Sequence, residues 1–170
     1  MVAKLNIFDT LACSLAGFRA PGVQEVLDVV RDWGGKPEAE VLWTDLRVPA
    51  PHAAWINDTM SHTCDYDDTY DKAILHAGIS VLPAALAAVS LAERPVTGRE
   101  FYTAVSTGLE LICRLGLATK IGLIQVGFIY SALFGLFRCG SYRRTGVEDE
   151  GQIHSERHGK LLIGLGPNSA

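Results

Sequence analysis

Apolar residues along this chain recur at three- and four-residue spacing, and strict alternation is nearly absent. A chain patterned this way buries its apolar surface on helix faces, so the predicted class is all-α, a helical bundle. Val2 to Ala16 reads as a helix with Leu5, Phe8, Ala12 and Leu15 on one face and Gly17 as its stop. No capping residue precedes it, so the chain is expected to begin inside or just before a helix. Pro21 opens a second helix with Val23, Val26, Leu27 and Val30 inward, closed by Gly34-Gly35. Val41 to Trp43 and Arg47-Val48 read as short extended pieces around a polar turn. Pro49 and Pro51 punctuate the chain before a helical pattern over Ala53 to Thr63. A further helix is predicted from Ile79 to Ala92, with Pro83 in its first turn. Thr97-Gly98-Arg99-Glu100 is a capping box. The helix it starts carries Phe101, Ala104, Val105, Gly108, Leu109, Ile112 and Leu115 inward, and pairs Glu110 with Arg114 one turn apart.

Composition narrows the function classes. At 170 residues, 48% hydrophobic and 20% charged, the chain can bury one real core. A net charge of -4 offers no basic footprint, which argues against a nucleic-acid partner. Cys13, Cys64, Cys113 and Cys139 are widely spaced and form no C-x-x-C pair, and no signal-peptide apolar region follows Lys4. The expectation is a reduced, cytoplasmic protein.

From Ile121 to Phe137 the chain carries no charge, and Arg138, Arg143 and Arg144 follow. The run sits at the lower edge of a membrane span. Gln125, three glycines and the lack of other spans favour a buried core helix, so no membrane partner is expected. Composition then changes abruptly. Residues 1–137 are read as one helical domain and residues 138–170 as an atypical tail, expected to be poorly ordered and to arise from a shifted reading frame or another foreign segment.

The chemistry concentrates in residues 62–78, where four aspartates and two histidines crowd between two helical patterns. An EF-hand numbered from Asp65 needs Gly at the sixth place and Glu at the twelfth, and finds Tyr70 and His76. Asp67-Asp68-Thr69-Tyr70-Asp71 matches the D-D-x-x-D pattern of magnesium-dependent prenyl diphosphate enzymes, without the second metal motif those enzymes need. The plainest alternative is a solvated acidic loop with helix-capping aspartates. His76, at the start of a helix just after acidic and hydroxyl groups, is a candidate acid/base residue. His62 reads as a packing or capping residue. His154 and His158 have metal-ligand spacing but lack the Glu of H-E-x-x-H.

Several motifs, in order, resemble the MmgE/PrpD family. Asp9-Thr10-Leu11-Ala12-Cys13-Ser14-Leu15-Ala16-Gly17 resembles its "D-T-L-G-C-x-L-A-G" opening. Pro49 to Asn57 resembles "P-A-P-x-A-A-x-x-N-G", with Asp58 in place of the Gly. Asp65-Tyr66-Asp67-Asp68-Thr69, His76-Ala77-Gly78 and Val81 to Ala87 are similar to "D-F-D-D-T…H-P-G…V-P-A-A-L-A". Gly108 to Arg114 is similar to a helix ending in "G-x-E-x-x-x-R". The resemblance covers residues from about 4 to 137.

The resemblance implies a large all-α domain beside a smaller lid, a homodimer, and no cofactor. It implies a small di- or tricarboxylate as substrate and proton transfer at a carbon next to a carboxylate. The family includes 2-methylcitrate dehydratase, cis-aconitate decarboxylase and iminodisuccinate epimerase. By the matching motifs Asp65, Thr69 and His76 lie in the active site: His76 as base, Asp65 orienting it or holding a substrate proton, Thr69 donating to a substrate carboxylate. A multiply anionic substrate needs cations, and only Lys72 is close, the family supplying lysines from later in the chain. The family's second active-site His, in "G-[WF]-H-x-[ST]", corresponds to Ile129 in Gly127-Phe128-Ile129-Tyr130-Ser131. Tyr130 is the candidate replacement, a change that leans toward epimerase chemistry. The expectation is a truncated lyase, weak or inactive. The alternatives are an epimerase, a prenyl diphosphate enzyme, or a non-catalytic helical remnant or dimerisation module marked by an exposed apolar face.

Overall fold

A computed structural model describes residues 2–119. The expectations for 121–137, Ile129, Tyr130, His154, His158 and the tail lie outside the described residues. Among those described, five helices and one two-stranded ribbon make an all-α architecture. None of these helices is long and apolar enough to cross a membrane.

Helix α1 (Val2–Gly17) turns through Pro21 and Gly22 into α2 (Val23–Trp33). Helix α2 has the expected inner face, with Val23, Leu27 and Val30 buried. Gly34 ends it at φ 63°, a left-handed conformation that glycine adopts without steric cost. Strands β1 (Ala39–Glu40) and β2 (Arg47–Val48) pair antiparallel, Ala39 opposite Val48. The first strand lies two residues before the predicted extended piece. Val41 to Trp43 belong instead to the connecting turn, where Trp43 takes a positive φ.

Helix α3 (Ala50–His62) starts earlier than predicted because the Glu38 side chain accepts the Ala50 N–H and Pro51 fits the first turn. Buried Asn57 joins α3 to the ribbon: its Oδ1 accepts from the Leu42 N–H at 2.9 Å and its Nδ2 donates to the Glu40 carbonyl at 3.2 Å. One apolar core forms here, around Val23, Val30, Val41, Ile56 and Met60.

Helix α4 (Ala77–Ser90) begins two residues before the predicted start. Pro83 therefore lies inside the helix rather than in its first turn, and α4 forgoes one backbone hydrogen bond there. Helix α5 (Gly98–Ala118) carries the expected capping box, with Thr97 Oγ1 accepting the Glu100 N–H and Glu100 accepting the Thr97 N–H. Arg114 pairs with Glu110 as expected. A second core joins Leu75, Val81, Leu82, Val105 and Ile112.

The face of α1 reverses expectation. Leu5, Phe8 and Leu15 are 63%, 73% and 55% exposed. Its buried residues are small: Ala3, Thr10, Cys13, Ser14 and Gly17. The cause is close approach to α3. A β-carbon on Gly17 would meet the Met60 carbonyl oxygen, so backbones touch where large side chains would hold them apart.

Candidate active site

The segment between α3 and α4 is irregular because three interactions replace helix. Asp65 and Ile74 adopt positive φ, 55° and 50°, each turning the chain. Tyr70 and Leu75 bridge across the turn between them, Tyr70 N–H donating to the Leu75 carbonyl at 2.8 Å. Asp68 then closes the segment onto α4. Its Oδ1 accepts the Gly78 N–H at 2.9 Å, capping a helix whose own N-cap residue, His76, supplies no side-chain cap. The capping reading of the aspartates therefore holds for Asp68.

This folding brings His62, Asp65, Asp67 and His76 together, with one potential ligand atom from each within 4.8 Å of the others. Asp67 is the centre. Its carboxylate is fully buried, with Oδ1 3.0 Å from His62 Nδ1 and Oδ2 2.9 Å from His76 Nδ1. The two imidazoles sit with ring centroids 4.8 Å apart. Both are partly open to solvent, His62 more than His76.

Acidic groups surround the cluster. Burial, chiefly, raises the Asp58 carboxyl to about 6, with His62 opposing and Asp67 adding to the rise. Asp58 lies one turn before His62 on α3. Asp68 is also raised, first by burial, against the lowering effect of the Gly78 N–H. Burial, then the charges of Asp9, Asp67 and Asp68, raise the Cys13 thiol, which makes it a poor nucleophile.

The predicted site residues fare differently. Asp65 and His76 meet in the cluster. Thr69 is exposed on the same segment, and no hydrogen bond among the described residues ties it to the cluster. His62, expected only to pack or cap, is a full member. In the sequence Asp67 belongs to the D-F-D-D-T resemblance and to D-D-x-x-D without a role of its own, and the D-D-x-x-D reading fails here. Asp67 turns to the histidines, Asp68 to α4, and Asp71 to solvent, on a segment that is not helical, so the three carboxylates share no face for a diphosphate-bound metal. A signal for His62 existed in its five-residue separation from Asp67, but only the turn at Asp65 brings that pair into contact.

A family model described as the MmgE/PrpD N-terminal domain matches residues 2–138. Among curated proteins no relative matches the chain.

Proposed function

The chain belongs to the MmgE/PrpD family, and from that premise we propose that its carboxylate–imidazole cluster transfers a proton at a carbon next to a carboxylate of a small di- or tricarboxylate. The reaction class is a cofactor-independent lyase, a dehydratase or decarboxylase, with epimerisation as the variant of the same step. The observation that carries the reading is His76 at the start of α4 with Nδ1 2.9 Å from buried Asp67. A buried carboxylate fixes the ring and stabilises the imidazolium that forms when the base takes a proton. Asp65 stands within the cluster to hold the departing or returning proton. Thr69, exposed on the same segment, donates to a substrate carboxylate, and Lys72 offsets part of the substrate charge. Turnover is expected to be slow, because Ile129 stands where the family pattern carries a second His.

The test is deuterium exchange from solvent into 2-methylcitrate, cis-aconitate and iminodisuccinate, followed by NMR with purified chain. Exchange or turnover of one of them, lost in His76→Asn, is the expected result. Equal rates in the variant, or no exchange with any of the three, would overturn the reading.

The exposed Leu5, Phe8 and Leu15 favour a second reading, an association module. Light scattering at rising concentration would show association that Phe8→Glu abolishes.

A further inference from the structure

The catalytic reading uses one of the two imidazoles that flank Asp67, and the other is the more exposed. His62 Nδ1 is hydrogen-bonded to Asp67 Oδ1 at 3.0 Å, and His76 Nδ1 lies 2.9 Å from Oδ2. The His62 side chain is 42% exposed against 23% for His76. An ionised carboxylate only accepts, so Asp67 holds the His62 ring by its Nδ1–H.

Neither bland role accounts for this ring. A packing histidine would bury it, and a capping histidine would meet backbone carbonyls at the end of α3. His62 is the last residue of α3, yet its side chain is half-open and its one hydrogen bond among the described residues goes to Asp67. The positive φ at Asp65 returns the chain so that this bond can form. His76, the N-cap residue of α4, then stands beside it with ring centroids 4.8 Å apart. A small molecule that reaches one ring reaches the other.

Charge decides what such a pair can do. Asp67 brings one negative charge, which offsets one imidazolium, and a second imidazolium so close would be repelled. The pair therefore suits one protonated and one neutral ring at the same time. Elimination beside a carboxylate needs that combination, a base for the carbon-bound proton and an acid for the departing oxygen.

We propose that His62 is the general acid of the site, paired across Asp67 with His76 as base, for loss of water from a hydroxy di- or tricarboxylate; this rests on the catalytic reading above. Neutral His76 takes the proton from the carbon next to the carboxylate. The C–H electron pair becomes the new carbon–carbon double bond. The C–O bond breaks with its electrons on oxygen, and protonated His62 gives that oxygen the proton with which it leaves as water. One proton enters the pair and one departs, so the charge passes from His62 to His76. Solvent access at His62 lets the starting state return. The titratable groups around His62 are Asp58 on α3, Asp65 and Asp67 on the connecting segment, and His76 on α4.

The test compares the parent chain, His62→Gln and His76→Asn on 2-methylcitrate, with solvent deuterium exchange and formation of the unsaturated product both followed by NMR. Glutamine keeps an N–H donor for Asp67 but carries no transferable proton near neutral pH. His62→Gln is expected to lose elimination about 10²- to 10⁴-fold while exchange continues at the parental rate, which also shows that fold and base are intact. His76→Asn is expected to lose both. Elimination by the parent is expected to fall on the alkaline side, where an acid has lost its proton, and His62→Gln to lack that limb. Parental elimination in His62→Gln, an equal fall in exchange and elimination, or a surviving alkaline limb would each overturn the proposal. A parent that exchanges cis-aconitate or iminodisuccinate but forms no unsaturated product from 2-methylcitrate overturns it too, and leaves the catalytic reading standing. No exchange with any of the three overturns that reading and this proposal together.

Discussion

Asp68 Oδ1 accepts the Gly78 N–H at 2.9 Å, and a β-carbon on Gly78 would land on that same oxygen and on Thr10 Oγ1. Three elements thus meet at one backbone position: α1 through Thr10, the connecting segment through Asp68, and the first turn of α4. His76 lies two residues away, so the placement of the candidate base depends on this contact.

Gly78→Ala is accordingly expected to destabilise the fold by about 1–3 kcal/mol, the range for overpacking a tight contact. Asp68→Ala, which removes the cap, is expected to cost about 1 kcal/mol. Urea unfolding with a constant m-value measures both. Stability unchanged in Gly78→Ala would show that the three elements do not meet so closely.

Asp58 sets a pH dependence. Its folded pKa, about 6, lies above the ordinary value of 3.8, so the native state holds this proton more tightly than the unfolded chain. The stability it contributes is full below the unfolded value and is lost as pH rises through about 6. Asp58→Asn is expected to match the parent near pH 4 and to exceed it at pH 7, by on the order of 1–2 kcal/mol after allowance for partial exposure. Thermal unfolding across that window reads the crossover. A variant less stable than the parent at pH 7 refutes it.

Ile74 holds φ 50°, a region costly for a β-branched side chain, and it is 62% exposed. Little burial offsets the strain. Ile74→Gly is therefore expected to raise stability by about 1 kcal/mol, while Ile74→Val gives no gain. Thermal melts of the two variants side by side decide it.

The α5 cap is a local device with its own pH signature. Hydrogen bonds from Arg94, then from Thr97, lower the Glu100 carboxyl to about 2. Its contribution is present above the ordinary carboxylate value and fades as pH falls through about 2. Thr97→Ala is expected to cost about 1 kcal/mol near neutral pH, and Thr97→Ser a fraction of that, by chemical denaturation.

For activity, His76→Asn is expected to slow substrate proton exchange about 10²- to 10⁴-fold, the usual contribution of a positioned acid/base group. Asp67→Asn is expected to shift the pH profile of exchange as well as its rate, because it changes what faces both imidazoles. Unshifted profiles would reduce Asp67 to a structural role.

Much of the helical frame was legible along the chain. The capping box, the Glu110–Arg114 pair and the inner face of α2 use partners within a turn of one another, so their spacing is enough. The inward face of α1 was not. Its apolar spacing marks a helix, but the buried side was chosen by contact with α3, which admits only small residues. His62 was misread for a related reason: its partner Asp67 is reached only after a turn at Asp65 that no helical periodicity describes.

By itself the sequence determined the helical class, the order of the helices and the short segment in which aspartates and histidines crowd, because periodicity, caps and turn residues act through nearest neighbours. Tertiary structure alone decided which of that segment's carboxylates is buried between two imidazoles, which one caps α4 and which side of α1 faces inward. Those outcomes depend on packing between elements distant in the chain, where available space and competition for hydrogen-bond partners select among side chains that look equivalent in a row of letters.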